Sequence, residues 1–333
     1  MKCRFLPSIF VPICTSLLLS PLALGAFKIE FTTLQDITDP LNPVNFPAAA
    51  VPALSRAANL WGQYITDNIT VYIDVRFGVK PLASATNQLW NYTYAEGRTF
   101  VIADAVPGGT DVDAIAQNLP TVLPVTAVKP LSGNMSATTA NWRALGDPWV
   151  YPTADATIIF NNTNDFFDFD NSVLGVDPLK YDFESVLAHE IGHALGFGSS
   201  LDTTGPTLSP TPLDLFRFST NPGTVNFGTA SRNLTPGSPA VTSNGIFSYE
   251  MSTASGVPFY QASHWKNANY PDPVIGLMNP TLALGQIYVP SEADLNALDL
   301  IGYDINFSVV PEMTTLGSGF LLLLGVFRRR REA

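Results

Sequence analysis

Apolar and polar residues alternate through "ITVYIDVRFGV", Ile69 to Val79, with Val71, Ile73, Val75 and Phe77 on one side. A period of two predicts a strand with one buried face. "FKIEF", "TFVIADA" and "ATIIFN" predict further strands. In "AAAVPALSRAANLWGQYI" the spacing turns helical, placing Leu54, Ala58 and Trp61 on one face, and "DVDAIAQNL" predicts a short helix. A longer apolar stripe, Phe183, Val186, Leu187, Ile191, Ala194 and Leu195, follows the capping residue Asp182 and stops at Gly196 and Gly198. Beyond it, "TTGPTLSPTP" and the Gly/Ser/Asn-rich run 221–244 predict irregular structure. "SEADLNALDLIGY" predicts a last helix, opened by the box Ser291-x-x-Asp294 and closed near Gly302. Strands interspersed with helices predict an α+β fold: a mixed-sheet lobe, a central helix and a loop-rich C-terminal lobe. With no long linker or repeat, residues 26–305 read as one domain with lobes of about 26–198 and 199–305. The 24 glycines and 27 prolines fit short elements and many turns.

Both ends depart from this pattern and read as processing signals. In "MKCRFLPSIFVPICTSLLLSPLALGA", Lys2 and Arg4 precede an apolar run that closes on Ala23-Leu24-Gly25, which predicts a cleaved secretory signal over 1–25. Cys3 and Cys14 both lie within it, so the mature chain has no thiol for a disulfide or a metal. At the other end, Leu316 to Phe327 would span about 18 Å as a helix, short of a bilayer core of about 30 Å. Arg328 to Arg331 follow it. This segment, 309–333, resembles the PEP-CTERM sorting tail of Gram-negative bacteria, with Val310-Pro311-Glu312-Met313 lacking the motif's final proline. The resemblance implies export to the cell envelope, surface or medium, transient membrane retention through the tail, and recognition by an exosortase-type enzyme. Without both ends, basic residues fall from 17 to 11 and acidic ones from 28 to 26, a net charge of −15. That charge argues against nucleic acid or an anionic membrane as partner of the domain.

The chemistry concentrates in "SVLAHEIGHALGFGSS". One helical turn separates His189 from His193, so both imidazoles reach one ion, and Glu190 can approach a water on it. Zinc held by three protein groups keeps a fourth position for water and lowers its pKa to about 7. The third ligand must come from elsewhere. The chain has three histidines, and the remaining one, His264, lies 71 residues after His193 with Trp265 beside it. Zinc prefers imidazole nitrogen to carboxylate. Ser199 occupies the tenth position after His189, where a hydroxyl is a poor ligand, and Asp202, Asp214 and Glu250 offer oxygens. Asp202 also reads as an acceptor for an imidazole N–H. Asp165, Asp168 and Asp170 supply oxygen ligands for Ca2+, although solvated turn acids explain them as well.

"HEIGHALGF", the distant "HW" and "GLMNP" together resemble the leishmanolysin-type branch of the metzincin zinc proteases, specifically from Tyr181 to Asp304. The resemblance implies that Gly196 turns the chain, that His264 returns to the metal, and that Met278 forms a methionine turn beneath it. It implies a zinc endopeptidase acting on polypeptide, with Glu190 as general base passing a proton from water to the leaving amine. The substrate would lie extended against an edge strand such as Ala156 to Phe160. Tyr260, Tyr270 and Tyr288 are candidate oxyanion donors. Two other readings stay open: a catalytically silent, zinc-stabilised surface domain of structural or adhesive type, and a metal hydrolase acting on something other than peptides.

Overall fold

The computed structural model describes residues 27–34, 45–105, 112–163, 165–170, 175–255, 260–267 and 274–309. The segments read as an export signal and a sorting tail, and Tyr270, lie outside them. The first half runs β1 (Lys28–Thr33), α1 (Val51–Gly62), β2 (Thr70–Gly78), β3 (Ala83–Asn87), β4 (Leu89–Thr93), α2 (Tyr94–Asp104), β5 (Val125–Ala127), β6 (Asn134–Thr138), α3 (Thr139–Ala144) and β7 (Ala156–Asn161). A short pair, β8 (Phe167–Asp168) and β9 (Tyr181–Asp182), leads into α4 (Phe183–Ala194). Then come β10 (Arg217–Phe218), α5 (Gly223–Asn226), β11 (Arg232–Leu234), β12 (Ala240–Ser243), β13 (Ser248–Met251) and α6 (Glu292–Leu300). The fold is α+β. Among the described residues, no helix is long and apolar enough to cross a membrane.

The main sheet has the order β1-β2-β7-β3, three parallel strands followed by antiparallel β3. Val71, Ile73, Val75 and Phe77 of β2 and Ala156, Ile158 and Phe160 of β7 fill one core with α1 and α4. The expectation that Ala156 to Phe160 forms an edge is overturned, because β7 is paired on both sides. Its alternating large apolar residues suit an interior position. The edge beside α4 is β3, whose sequence ASATN is short and polar, as exposed edges are. Asn161 N–H donates to Leu82 O, and Gln88 N–H donates to Asp155 O. Antiparallel bonding alternates, so the even-numbered residues of β3 serve β7 and Ala83, Ala85 and Asn87 turn their main-chain groups outward.

Two further expectations change. Thr99 to Ala105, read as a strand, belongs to α2. Thr93 accepts from Glu96 N–H while the Glu96 carboxylate accepts from Thr93 N–H, a capping box that starts the helix despite the β-branched run. The loop-rich stretch after α4 holds a five-stranded sheet, β13-β12-β10-β11-β5, with β5 contributed by the first half. Its strands are two to four residues long and bury Arg217 and Arg232, so no alternation advertised them. Arg232 lies between the rings of Phe218 and Phe227, at 4.8 and 4.9 Å. This sheet belongs to a second core with Trp142, Leu215 and Phe216, so that core, like the first, draws on residues before and after Phe197.

α1 fixes the central helix. Ala53, Leu54, Ala57 and Trp61 are buried, and the Trp61 indole donates to Ala188 O at 2.8 Å. Replacing Trp61 with Ala opens a large cavity against α4 and should cost about 3–5 kcal/mol in chemical denaturation. A cost below about 1 kcal/mol would mean that α4 does not depend on this contact.

Candidate metal centre

α4 is buried along its length, and only His193 within it is half-exposed. Asp182 caps it by accepting from Ser185 N–H at 3.0 Å. At its far end Gly196, with φ +110°, reverses the chain. Phe197 N–H reaches Gly192 O and Gly196 N–H reaches His193 O, the paired bonds of a glycine-terminated helix. The reversal also delivers Phe197 O to the His193 ring, 2.8 Å from Nδ1. The glycine that ends the helix therefore orients one of its histidines. Gly198, read as a second stop, has no positive φ.

His264 is carried back by the long excursion through β10–β13. The ligand atoms of His189, His193 and His264 all lie within 4.8 Å of one another, and the ring centroids are 4.9 to 5.2 Å apart. His193 Nε2 and His264 Nε2 are 3.2 Å apart. His189 Nδ1 faces Leu277 O at 2.8 Å, as His193 Nδ1 faces Phe197 O. A carbonyl only accepts, so both Nδ1 atoms carry the proton and both Nε2 atoms present lone pairs. His264 Nδ1 faces Gln261 O at 3.4 Å, which turns the lone pair of its Nε2 toward that of His193, and two lone pairs 3.2 Å apart repel unless a cation lies between them. Tetrahedral zinc with Zn–N of about 2.0–2.1 Å needs nitrogens roughly 3.3 Å apart, which the His193–His264 pair matches, with the His189 ligand atom within 4.8 Å of both. Burial pushes His189 down to about 3 and lowers His193 and His264 as well, aided at His189 and His264 by the neighbouring rings. All three are neutral, the form that binds metal. Among the described residues they are the one such grouping. Asp168 instead accepts the N–H groups of Asp170 and Asp177, and exposed Asp165 pairs with Lys180 at 3.5 Å, which favours solvated turn acids over calcium ligands.

The oxygen candidates are engaged elsewhere. Ser199 donates to Asp214 at 2.7 Å, and Asp214 also accepts the N–H groups of Ser200 and Thr211. Glu250 pairs with Lys266 at 2.8 Å in exposed positions. Asp202 accepts no imidazole proton. It binds Ala262 N–H at 2.7 Å, Ser263 N–H at 2.8 Å and the Ser263 hydroxyl, holding the two residues before His264. Buried Arg217 grips the same segment through Ala262 O.

Met278 is fully buried beneath the site, against Gly192 of α4. A Cβ at Gly192 would overlap the Met278 sulfur and stand 3.2 Å from Trp61. The pattern reading passed over this glycine, although a glycine inside a helix is the signal of a close approach. It read Asp294 only as the capping-box partner of Ser291. Beyond capping α6, this buried carboxylate accepts from Leu277 N–H at 2.7 Å, Met278 N–H at 3.1 Å and the Trp265 indole at 2.7 Å. One side chain thus ties the segment whose carbonyl orients His189 to the neighbour of His264.

Glu190 is nearly buried beside the histidines. Burial raises its carboxyl to about 7, opposed by Ala85 N–H of β3 and by the charge of Lys80. A cleft of about 440 Å³ holds Glu190 and all three imidazoles between β3 and the segment Asn279 to Leu282. A second cleft, of about 500 Å³, adjoins it at Ala85, Asn87, His193, Gly198 and Ser263. Tyr260 and Tyr288 line neither cleft; Tyr260 Oη accepts from Asn267 and Tyr288 Oη from Ala283 N–H. No family model, curated protein or solved structure matches the chain.

Two measurements test the centre. The chain should bind one zinc, and His264→Ala should lose most of it to a chelator that leaves the parent loaded; equal retention would move the third ligand elsewhere. Asp294→Asn should lower the thermal midpoint and speed metal loss. Ser291→Ala, which removes only the cap hydroxyl, should cost about 1 kcal/mol without altering metal retention, and equal effects of the two would reduce Asp294 to a helix cap.

Proposed function

We propose that this chain is an exported zinc-dependent endopeptidase of the metzincin type, related in design to the leishmanolysin-like proteases. The observation that carries the reading is the return of His264 to within 3.2 Å of His193, with Glu190 beside the trio. Three imidazoles leave a coordination position open, the arrangement of catalytic rather than structural zinc. Zinc held by His189, His193 and His264 would supply Lewis acidity and a water acidic near neutral pH.

The chain's own residues supply the rest. Glu190, brought near 7 by burial, takes a proton from the attacking water and returns it to the leaving amine, so the peptide C–N bond breaks with no net proton change. Ala83 and Asn87, with the Ala85 carbonyl, offer outward main-chain groups to an extended polypeptide, while Ala85 N–H serves Glu190, and strand addition aligns the peptide along the cleft. Met278 supports the site from behind, lining neither cleft, and Gly196 ends α4 at the wall of the second cleft. Cellular export and sorting by an exosortase-type enzyme through residues 309–333 belong to the same proposal.

Glu190→Gln keeps the shape of the side chain and removes its basicity. Cleavage of an unfolded protein substrate should fall by about 10²- to 10⁴-fold, with metal content still one per chain. Undiminished cleavage would remove Glu190 from the chemistry. A zinc-loaded parent that cuts no polypeptide would favour the silent surface-domain reading.

A further inference from the structure

Two polar contacts fasten β3 to the metal helix. Strand side chains alternate, so Ala83, Ala85 and Asn87 share one face, and Ala83 and Ala85 pack there against the core that holds α4. Ala85 N–H serves the Glu190 carboxylate. Two residues on, Asn87 Nδ2 donates to His193 O at 2.9 Å. A main-chain carbonyl only accepts, so the amide nitrogen and not its oxygen must face His193. Strand residues two apart thus meet helix residues three apart, one the candidate base and the other a candidate metal ligand.

Neither partner needs the second bond. His193 O already accepts Gly196 N–H at 3.1 Å, so the helix end is satisfied without Asn87. The Asn87 oxygen is buried and has no hydrogen-bond partner among the described residues. An amide whose buried oxygen goes unpaired gains little over an apolar side chain of similar shape, so stability does not account for it. What the bond joins does. Asn87 lines both clefts, as do Ala85, His193, Gly198 and Ser263, and so lies where the two meet. Its main-chain groups point outward from the edge, because the neighbouring Gln88 N–H is the one that turns inward, to Asp155 O. One residue therefore offers its backbone to a bound polypeptide and its side chain to the carbonyl of a metal ligand.

We infer that Asn87 is a positioning residue, whose amide sets the distance between a peptide paired with β3 and the metal held through His193. This rests on the peptidase reading. The side chain leaves the pairing groups of the strand edge unchanged, so it adds nothing to the peptide's affinity. It acts once the peptide is bound, by keeping the edge and α4 in one fixed relation. A reacting pair displaced by about 1 Å loses about 10²-fold in rate. Loss of the amide therefore falls on kcat and not on KM.

The test compares Asn87→Ala, Asn87→Asp and Thr86→Ala with the parent on an extended, internally quenched peptide, with rates expressed per bound zinc. Thr86 is the exposed neighbour whose side chain lies on the opposite face of β3. Asn87→Ala should lower kcat about 10- to 10²-fold and keep KM within about two-fold. Asn87→Asp keeps the shape but exchanges the donor for an acceptor, so it should do no better. Thr86→Ala should match the parent, and all three variants should retain zinc as the parent does. Parental kcat in either Asn87 variant, a fall shared by Thr86→Ala, a change confined to KM, or loss of zinc would each overturn the inference and leave the peptidase standing. A zinc-loaded parent that cuts no peptide would remove the peptidase reading, and this inference with it.

Discussion

Everything in the centre depends on the carbonyls behind the rings. Leu277 O and Phe197 O each take an Nδ1 proton, which forces the lone pairs of His189 and His193 toward the space that His264 also faces. Without them each imidazole could flip its tautomer, and the donor set would lose its common focus. Both carbonyls come from chain reversals. One follows the glycine stop of α4, and the other precedes Met278.

Those reversals are held by buried polar groups rather than by apolar packing alone. Asp294 fastens the Leu277–Met278 turn and the Trp265 indole, while Asp202 and Arg217 fasten the residues before His264. Both oxygens of buried Asp294 accept hydrogen bonds, as a buried carboxylate's must, and both oxygens of half-buried Asp202 do so as well. Packing sets the remaining tolerance. Gly192 lets Met278 touch the helix backbone with Trp61 packed beside it, and the Trp61 indole bond to Ala188 O holds α4 in place. The cleft above is left to the edge strand and to the segment after Met278.

Much of this was legible along the chain because the signals were local. The alternation in β2, the stripe and Asp182 cap of α4, and the Ser291–Asp294 box each encode an element within a dozen residues. The helix histidines and Glu190 share one turn. His264 was legible by elimination among three histidines and through the family resemblance that its "HW" shares with the helix motif, since no local pattern says where a residue 71 positions away will fold. What failed was non-local or contradictory. The β-branched run of α2 outweighed its capping box in the pattern reading, the strands β10 to β13 were too short and polar to alternate, and pairing partners decided that β3 and not β7 is the edge. Asp202 was read as a partner of a ring when it is a partner of backbone, a distinction carried by geometry and not by residue type.

The most direct test of the central claim is X-ray absorption at the zinc edge of the purified, zinc-loaded chain. Three convergent imidazoles predict a four-coordinate ion with three nitrogen scatterers showing imidazole multiple scattering, at about 2.0–2.1 Å, and one light-atom ligand from solvent. A spectrum with two imidazoles or fewer would contradict the account.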